Sequence, residues 1–125
     1  MVRFYNHEAI PAIHNIADIP VRSGDGVEQR VFRGNDQIVS FSSFEPHAAA
    51  KRHDHPWEQI THVLDGTGTV VIDDDAAVIT AGDIFLVPPT VPHYVTTDDQ
   101  PCDLLTIHPL REDKLHLTEY QQEFR

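Results

Sequence analysis

Apolar residues along the chain recur in short runs of β-branched and aromatic side chains separated by turn residues, and helical spacing is scarce. This pattern predicts an all-β protein with strands over 28–32, 37–44, 58–64, 67–72, 76–80, 84–87, 93–97 and 103–108. Asp65-Gly66 falls between two of these runs and suits a tight hairpin turn, since glycine reaches positive φ without cost. A second polar turn is expected over 73–75. The opening segment, 1–21, holds Pro11 and Pro20 and no clean period, so it reads as an extended arm or an edge strand. The polar tail, 111–125, offers Leu115, Leu117, Tyr120 and Phe124 as anchors and a possible site for a short helix. One domain is expected, with its core over 28–108, an amino-terminal arm over 1–27 and a tail over 109–125.

Composition narrows the partners. The 125 residues carry 9 Lys and Arg against 20 Asp and Glu, a formal charge of -11, which disfavours nucleic acid and anionic membrane. No apolar run approaches the roughly 20 residues of a membrane span, and the first eight residues lack the apolar stretch of a signal peptide. A cytoplasmic location is the expectation. The single cysteine, Cys102, excludes an intramolecular disulfide, and no flanking cation marks it as an activated thiolate.

Chemistry is suggested by the spacing of a few of the nine histidines. His53 and His55 are separated by one residue, so on an extended segment their imidazoles project from one side and can converge on one ion. Gln59 would lie roughly 20 Å beyond His53 on a straight strand, so sharing that ion requires a turn, and Pro56-Trp57 falls where it is needed. A turn resets the alternation, so parity does not decide between Glu58 and Gln59. Further on, Gly82, Pro88 and His93 describe an apolar strand, a proline-rich corner and a strand returning toward the first pair. His62, three residues beyond Gln59, points to the opposite face and suits a structural or interface role. His108 is a candidate for the pocket rim and Trp57 for its wall, whereas His7, His14, His47 and His116 lack partners at ligand spacing.

Together the two stretches resemble the paired signatures of the cupin superfamily, small single-domain jelly-roll β-barrels. His53, His55, Gln59 and Gly66 fall on the first signature; Gly82, Pro88 and His93 fall on the second, with Thr90 where the family has glycine and Thr97 where it usually has asparagine. Fifteen residues separate Gly66 from Gly82, similar to the shortest common spacer. The resemblance implies His53, His55, Gln59 and His93 as metal ligands, its spacing selecting Gln59 over Glu58. The passages HPWEQITHVLDG and IHPLREDKL look like small cupins of the pectin-degradation type, which open rings of unsaturated uronic acids. That likeness implies Arg111 as a partner for a substrate carboxylate. The group's acid on the last strand aligns with Leu105 and its aromatic with Ile107; Asp103 replaces the acid only if the alignment slips.

Three imidazoles and an amide neutralise none of a divalent ion's charge, which favours an anionic or enolisable small-molecule substrate. The set suits one ion of Mn, Fe, Co, Ni or Zn better than Mg or Ca, which prefer oxygen-only shells. Glu58 and Tyr94 flank the ligands and are candidates for proton transfer if a local turn directs them inward; otherwise Glu58 faces solvent and Tyr94 packs. The expected function is a metal-dependent enzyme acting on a small oxygenated acid, sugar acid or carbonyl compound by enolisation, isomerisation or elimination. A metal-dependent dioxygenase and a non-catalytic metabolite-binding or sensing module are the alternatives. A homodimer is expected, with an edge strand or the amino-terminal arm paired to a second copy.

Overall fold

The computed structural model describes residues 13–34 and 36–109. Among these there is no α-helix; a single 3-10 turn, Ile16–Asp18, is followed by eight strands. They are β1 (Arg22–Gly24), β2 (Val27–Arg33), β3 (Gln37–Phe44), β4 (Gln59–Ile72), β5 (Asp75–Thr80), β6 (Ile84–Val87), β7 (His93–Thr96) and β8 (Cys102–Pro109). All pairings are antiparallel, in the order β1-β2-β3-β8-β4-β5, with β6 and β7 also paired to β4.

The main departure from the sequence reading is β4. The expected strands over 58–64 and 67–72 are one continuous strand of 14 residues, and Asp65-Gly66 forms no hairpin turn. The first part of β4 lies between β6 and β8, and the second part lies between β5 and β7, so one strand belongs to two sheets. A register shift between Val63 and Asp65 marks the crossing, and Gly66 takes φ +81 there. A Cβ on Gly66 would stand 1.9 Å from the Pro101 carbonyl oxygen, so the site needs glycine for space as well as for φ. The same dipeptide chemistry that builds hairpins thus serves here to bend a strand. The turn expected near 73–75 is present: Ile72 pairs with Asp75, and Asp73 adopts φ 56. The described part of the opening segment, 13–21, holds the 3-10 turn and no strand; the edge strand β1 lies just beyond it, paired with β2, so the sheet begins at Arg22 rather than at residue 28. The expected tail helix lies outside the described residues.

Alternation places one face of β3, β4 and β8 inside, and the character of that face changes along the strands. Ser40 and Ser42 give way to Phe44 on β3, Gln59 and Thr61 to Val63 on β4, and His108 and Thr106 to Leu104 on antiparallel β8. Register aligns the three sequences, with Ser40 and Thr61 beside Thr106, and Ser42 and Val63 beside Leu104. One end of the interior is therefore an apolar core of Phe44, Val63, Val70, Ile79, Val95 and Leu104. The other end gathers Ser40, His55, Gln59, Thr61, His93 and His108 among the apolar Ile38, Trp57 and Val87. Such polar groups cost free energy inside a protein unless they are paired, so their concentration at one end points to a site.

Candidate metal centre

The site is built where a short extended segment meets β7. His53 and His93 form an antiparallel bridge, each donating its backbone N–H to the other's carbonyl at 3.1 and 2.9 Å. Their rings are consequently 4.4 Å apart, with the His55 ring 4.9 Å from that of His93. The chain bends at Pro56-Trp57, as the spacing required, and enters β4 at Gln59. His55, Gln59 and His93 are buried and His53 is half-buried. Each of the three imidazoles offers a ring nitrogen such that all three lie within 4.8 Å of one another.

Hydrogen bonds decide which nitrogens face inward. The Nδ1 atoms of His53, His55 and His93 lie 2.7, 2.8 and 2.9 Å from the carbonyl oxygens of Lys51, Trp57 and Val91. A carbonyl only accepts, so each Nδ1 carries the proton and each Nε2 keeps its lone pair. The Nε2 atoms of His55 and His93 then face Gln59 Oε1 at 2.9 and 3.1 Å. Gln59 Nε2 donates to Thr61 Oγ1 at 2.9 Å, and that hydroxyl meets Thr106 Oγ1 at 2.9 Å, which holds the amide in this orientation. Three acceptors thus converge on one point with no hydrogen between them. A cation relieves that repulsion. A proton is a poor choice, because burial pushes His93 down to about 4 and also lowers His55. A metal ion with imidazole and amide-oxygen ligands fits the donor set.

The centre opens into a cavity of about 420 Å³. Ser40, Ser42 and Thr106 line it from the sheet, and Arg22 and Lys51 line it from β1 and the histidine segment. His108 belongs to its wall rather than its rim: it is buried, donates Nδ1–H to the Pro109 carbonyl at 3.0 Å, and stacks on Trp57 at 5.4 Å. Trp57 also stacks on His55 at 5.5 Å, so one indole braces both rings. Burial pushes His108 down to about 4.

Of the residues expected in the site, His53, His55, Gln59 and His93 are brought together. Tyr94 lines the cavity and is half-buried, with the Arg52 guanidinium carbon 5.9 Å from its ring centroid. Glu58 is exposed and is not among the cavity-lining residues, because the bend at Pro56-Trp57 turns Gln59 inward and Glu58 out. Arg111 lies outside the described residues. Leu105 and Asp103 are on the outer face of β8, so an acid at either position would not face the metal centre; Leu104, Thr106 and His108 hold the inner face. His62 is exposed, opposite to Gln59 as parity required. Cys102 is buried in β8, and burial beside Asp103 and Asp65 pushes its thiol up to about 11. Lys51 and Arg22 were not anticipated, although Lys51 precedes His53 by two residues and shares its side by alternation.

The two family departures have physical counterparts. Thr90 adopts the left-handed φ of 68 that its glycine position demands, and its N–H donates to the His55 carbonyl at 2.7 Å. Thr97 is buried and pins the 45–48 loop, accepting from Ala48 N at 3.0 Å and donating to the Glu45 carbonyl at 2.5 Å.

A family model described as Cupin domain matches residues 40–108, more than half of the chain. The chain is a cupin. No curated protein matches it. Among solved structures, the cupin is similar to an RmlC-like cupin from Shewanella frigidimarina, with a TM-score of 0.74 and 24% identity over 83% of this chain and 96% of that one. It is also similar to the polyketide cyclase RemF from Streptomyces resistomycificus, with a TM-score of 0.71 and 20% identity over 82% of this chain and 81% of the other. A predicted oxalate decarboxylase from Thermotoga maritima gives a TM-score of 0.69 and 15% identity over 79% of this chain and 99% of that one. At such identities these likenesses establish the fold of the cupin and not its reaction. None of these three carries a pectin-degradation name. No helix among the described residues is long and apolar enough to cross a membrane.

Proposed function

We propose that this cupin is a metal-dependent enzyme acting on a small oxygenated acid or carbonyl compound by enolisation, isomerisation or elimination. The observation that carries this reading is the convergence of two Nε2 lone pairs and Gln59 Oε1 on one point beside a polar cavity. A divalent transition ion held there supplies Lewis acidity toward a carbonyl or carboxylate oxygen. The all-neutral ligands leave its charge intact, and Lys51 and Arg22 line the cavity together with Asp25. Those two cations are positioned to hold a substrate carboxylate. Ser40, Ser42 and Thr106 offer hydroxyls for a polyhydroxylated substrate. His108, held by its Nδ1 contact to the Pro109 carbonyl, adds an imidazole to the cavity wall. Tyr94 is the proposed proton donor or acceptor at the mouth. The similar structures named as a polyketide cyclase and as a predicted oxalate decarboxylase are in keeping with this reading. A uronate substrate is the narrower form of the reading; it depends on Arg111 and lacks an acid on the inner face of β8.

Elemental analysis of untagged protein beside His53→Ala and Gln59→Ala is the first test, followed by deuterium exchange at carbon next to the carbonyl of 2-oxo acids and uronates in heavy water. About one equivalent of a transition metal, lost in His53→Ala, together with metal-dependent exchange, is the expected result. A site that stays empty after incubation with each of the five metals overturns the reading. Oxygen uptake with enolic diketones in place of exchange would favour a dioxygenase.

A further inference from the structure

The lining of the cavity changes character with distance from the metal centre. His53, Gln59, His93 and His108 line one end. Two residues beyond His93 on β7, about 7 Å along the strand, the inward residue is Val95, and four residues before His108 on β8 it is Leu104. Phe44 stands at the end of β3 in the same way, four residues past Ser40, and Val27 is its register partner on β2. With Ala50, whose N–H donates to the Val95 carbonyl at 2.9 Å, these side chains form a floor that is continuous with the apolar core. Gln29 and Ser42 mark its boundary, Gln29 Nε2 donating to Ser42 Oγ at 3.4 Å.

Room over this floor comes from Gly24. It pairs with Val27 across the β1–β2 hairpin, so the two positions share a face, and both line the cavity. A Cβ on Gly24 would meet nothing within 4 Å, whereas those on Gly66 and Gly68 would meet backbone at 1.9 and 2.9 Å. The positive φ of this hairpin falls on its two turn residues, Asp25 and Gly26, and not on Gly24. Were the floor only the roof of the core, a larger side chain at position 24 would cover it, and both φ and space allow one. The absence of that side chain keeps the floor open to the cavity.

We infer that this floor is the subsite for an apolar tail, an alkyl chain or a ring, on a substrate whose oxygenated head lies at the metal centre. The inference narrows the metal-dependent enzyme proposed above and rests on that reading. The charged residues of the lining, Arg22, Asp25 and Lys51, are all exposed, whereas Phe44, Val95 and Leu104 are buried. A carboxylate or sugar hydroxyl carried down to the floor would give up water against carbon, which is unfavourable, while a methylene there is removed from water and gains affinity. One cavity thus sorts the two halves of a molecule: oxygen beside the metal and the hydroxyls of Ser40 and Thr106, carbon over Val27 and Phe44.

Isothermal titration calorimetry of the metal-loaded full chain with pyruvate, 2-oxobutanoate, 2-oxopentanoate and 2-oxohexanoate tests the subsite. 2-Oxoglutarate joins the series because it puts a carboxylate where 2-oxopentanoate has its methyl group. Affinity should rise about 3–4-fold with each added methylene, and 2-oxoglutarate should bind more weakly than 2-oxopentanoate. In Gly24→Leu, whose side chain fills the space, the ratio of 2-oxohexanoate to pyruvate affinity should fall at least about 10-fold, and in Gly24→Ala by a smaller factor. Far-UV circular dichroism and bound metal verify that each variant is folded, and the wild-type series decides even if neither variant folds. Three results in protein that holds a metal and binds pyruvate overturn the subsite and leave the enzyme reading standing: no gain with chain length, tighter binding of 2-oxoglutarate than of 2-oxopentanoate, or an unchanged ratio in folded Gly24→Leu. Protein that holds no metal, or binds none of these acids, overturns the enzyme reading and the subsite with it.

Discussion

Replacing Gln59 by leucine, nearly its isostere, separates the energetics of the metal-free and metal-bound forms. In the metal-free protein the substitution removes one neutral hydrogen bond, Gln59 Nε2–H to Thr61 Oγ1, worth about 1 kcal/mol. Thr61 keeps Thr106 as a partner, so no buried hydroxyl is orphaned. It also removes two contacts in which acceptors face each other at 2.9 and 3.1 Å, which is favourable. The two terms oppose, and the stripped protein should change in stability by no more than about 1 kcal/mol. The metal-bound form loses a ligand, and affinity should fall by at least the roughly 10–100-fold that even an outer partner is worth. Urea denaturation after chelation measures the first quantity, and competition with a chromophoric chelator at constant pH measures the second. Gln59→Glu should act in the opposite sense and tighten metal binding, because a carboxylate brings charge to the ion. The reasoning is refuted if Gln59→Leu costs the stripped protein more than about 3 kcal/mol, since that is the signature of amide N–H groups satisfying the two imidazoles and of no cation being required.

Three further outcomes are expected. In the metal-free protein His93 and His108 have values of about 4 against an ordinary 6.5, so the unfolded chain binds more protons in between; stability should be complete above about pH 6.5 and fall toward pH 4 by up to about 1.4 kcal/mol per pH unit for each histidine. Thermal melts from pH 7.5 to 4.5 should show this, with a shallower slope in His108→Gln, and a flat profile contradicts the burial argument. Thr90→Gly should relieve a left-handed β-branched residue and raise the melting temperature by about 3–6 °C, a gain of about 1 kcal/mol; a lower value would show that φ 68 is not strained there. Gly66→Ala should prevent folding, with a cost above about 4 kcal/mol, because its Cβ would enter the Pro101 carbonyl; soluble protein with native circular dichroism would count against the crossing of β4.

The strands were largely legible in the sequence because they rest on short-range periods, whereas the grouping of His93 and Gln59 with His53 and His55 came from the resemblance to the cupin signatures. His53 and His55 share a side by alternation, and the bend that brings in Gln59 was demanded by distance. What parity could not supply was the facing of residues next to that bend, so Glu58 remained a candidate that the structure places in solvent. The continuity of β4 was hidden because Asp-Gly serves a hairpin and a strand crossing by the same left-handed φ, and only the packing of Pro101 distinguishes them. The polar-to-apolar gradient on β3, β4 and β8 was present in the residues, but it is visible only once register is known. His108 followed the same rule: two steps of alternation from Leu104 put it inside.

The sharing of β4 between two sheets bears on how this scaffold can change its chemistry. A strand bonded to β6 and β8 at one end and to β5 and β7 at the other leaves no seam along which the halves can part or slide. Arg22 on β1 and Lys51 beside the histidine segment are exposed side chains whose replacement disturbs neither ladder nor core. A lineage can exchange such residues and meet a new molecule while the walls stay as they were, which accords with one barrel shape persisting among proteins of different names at 15–24% identity.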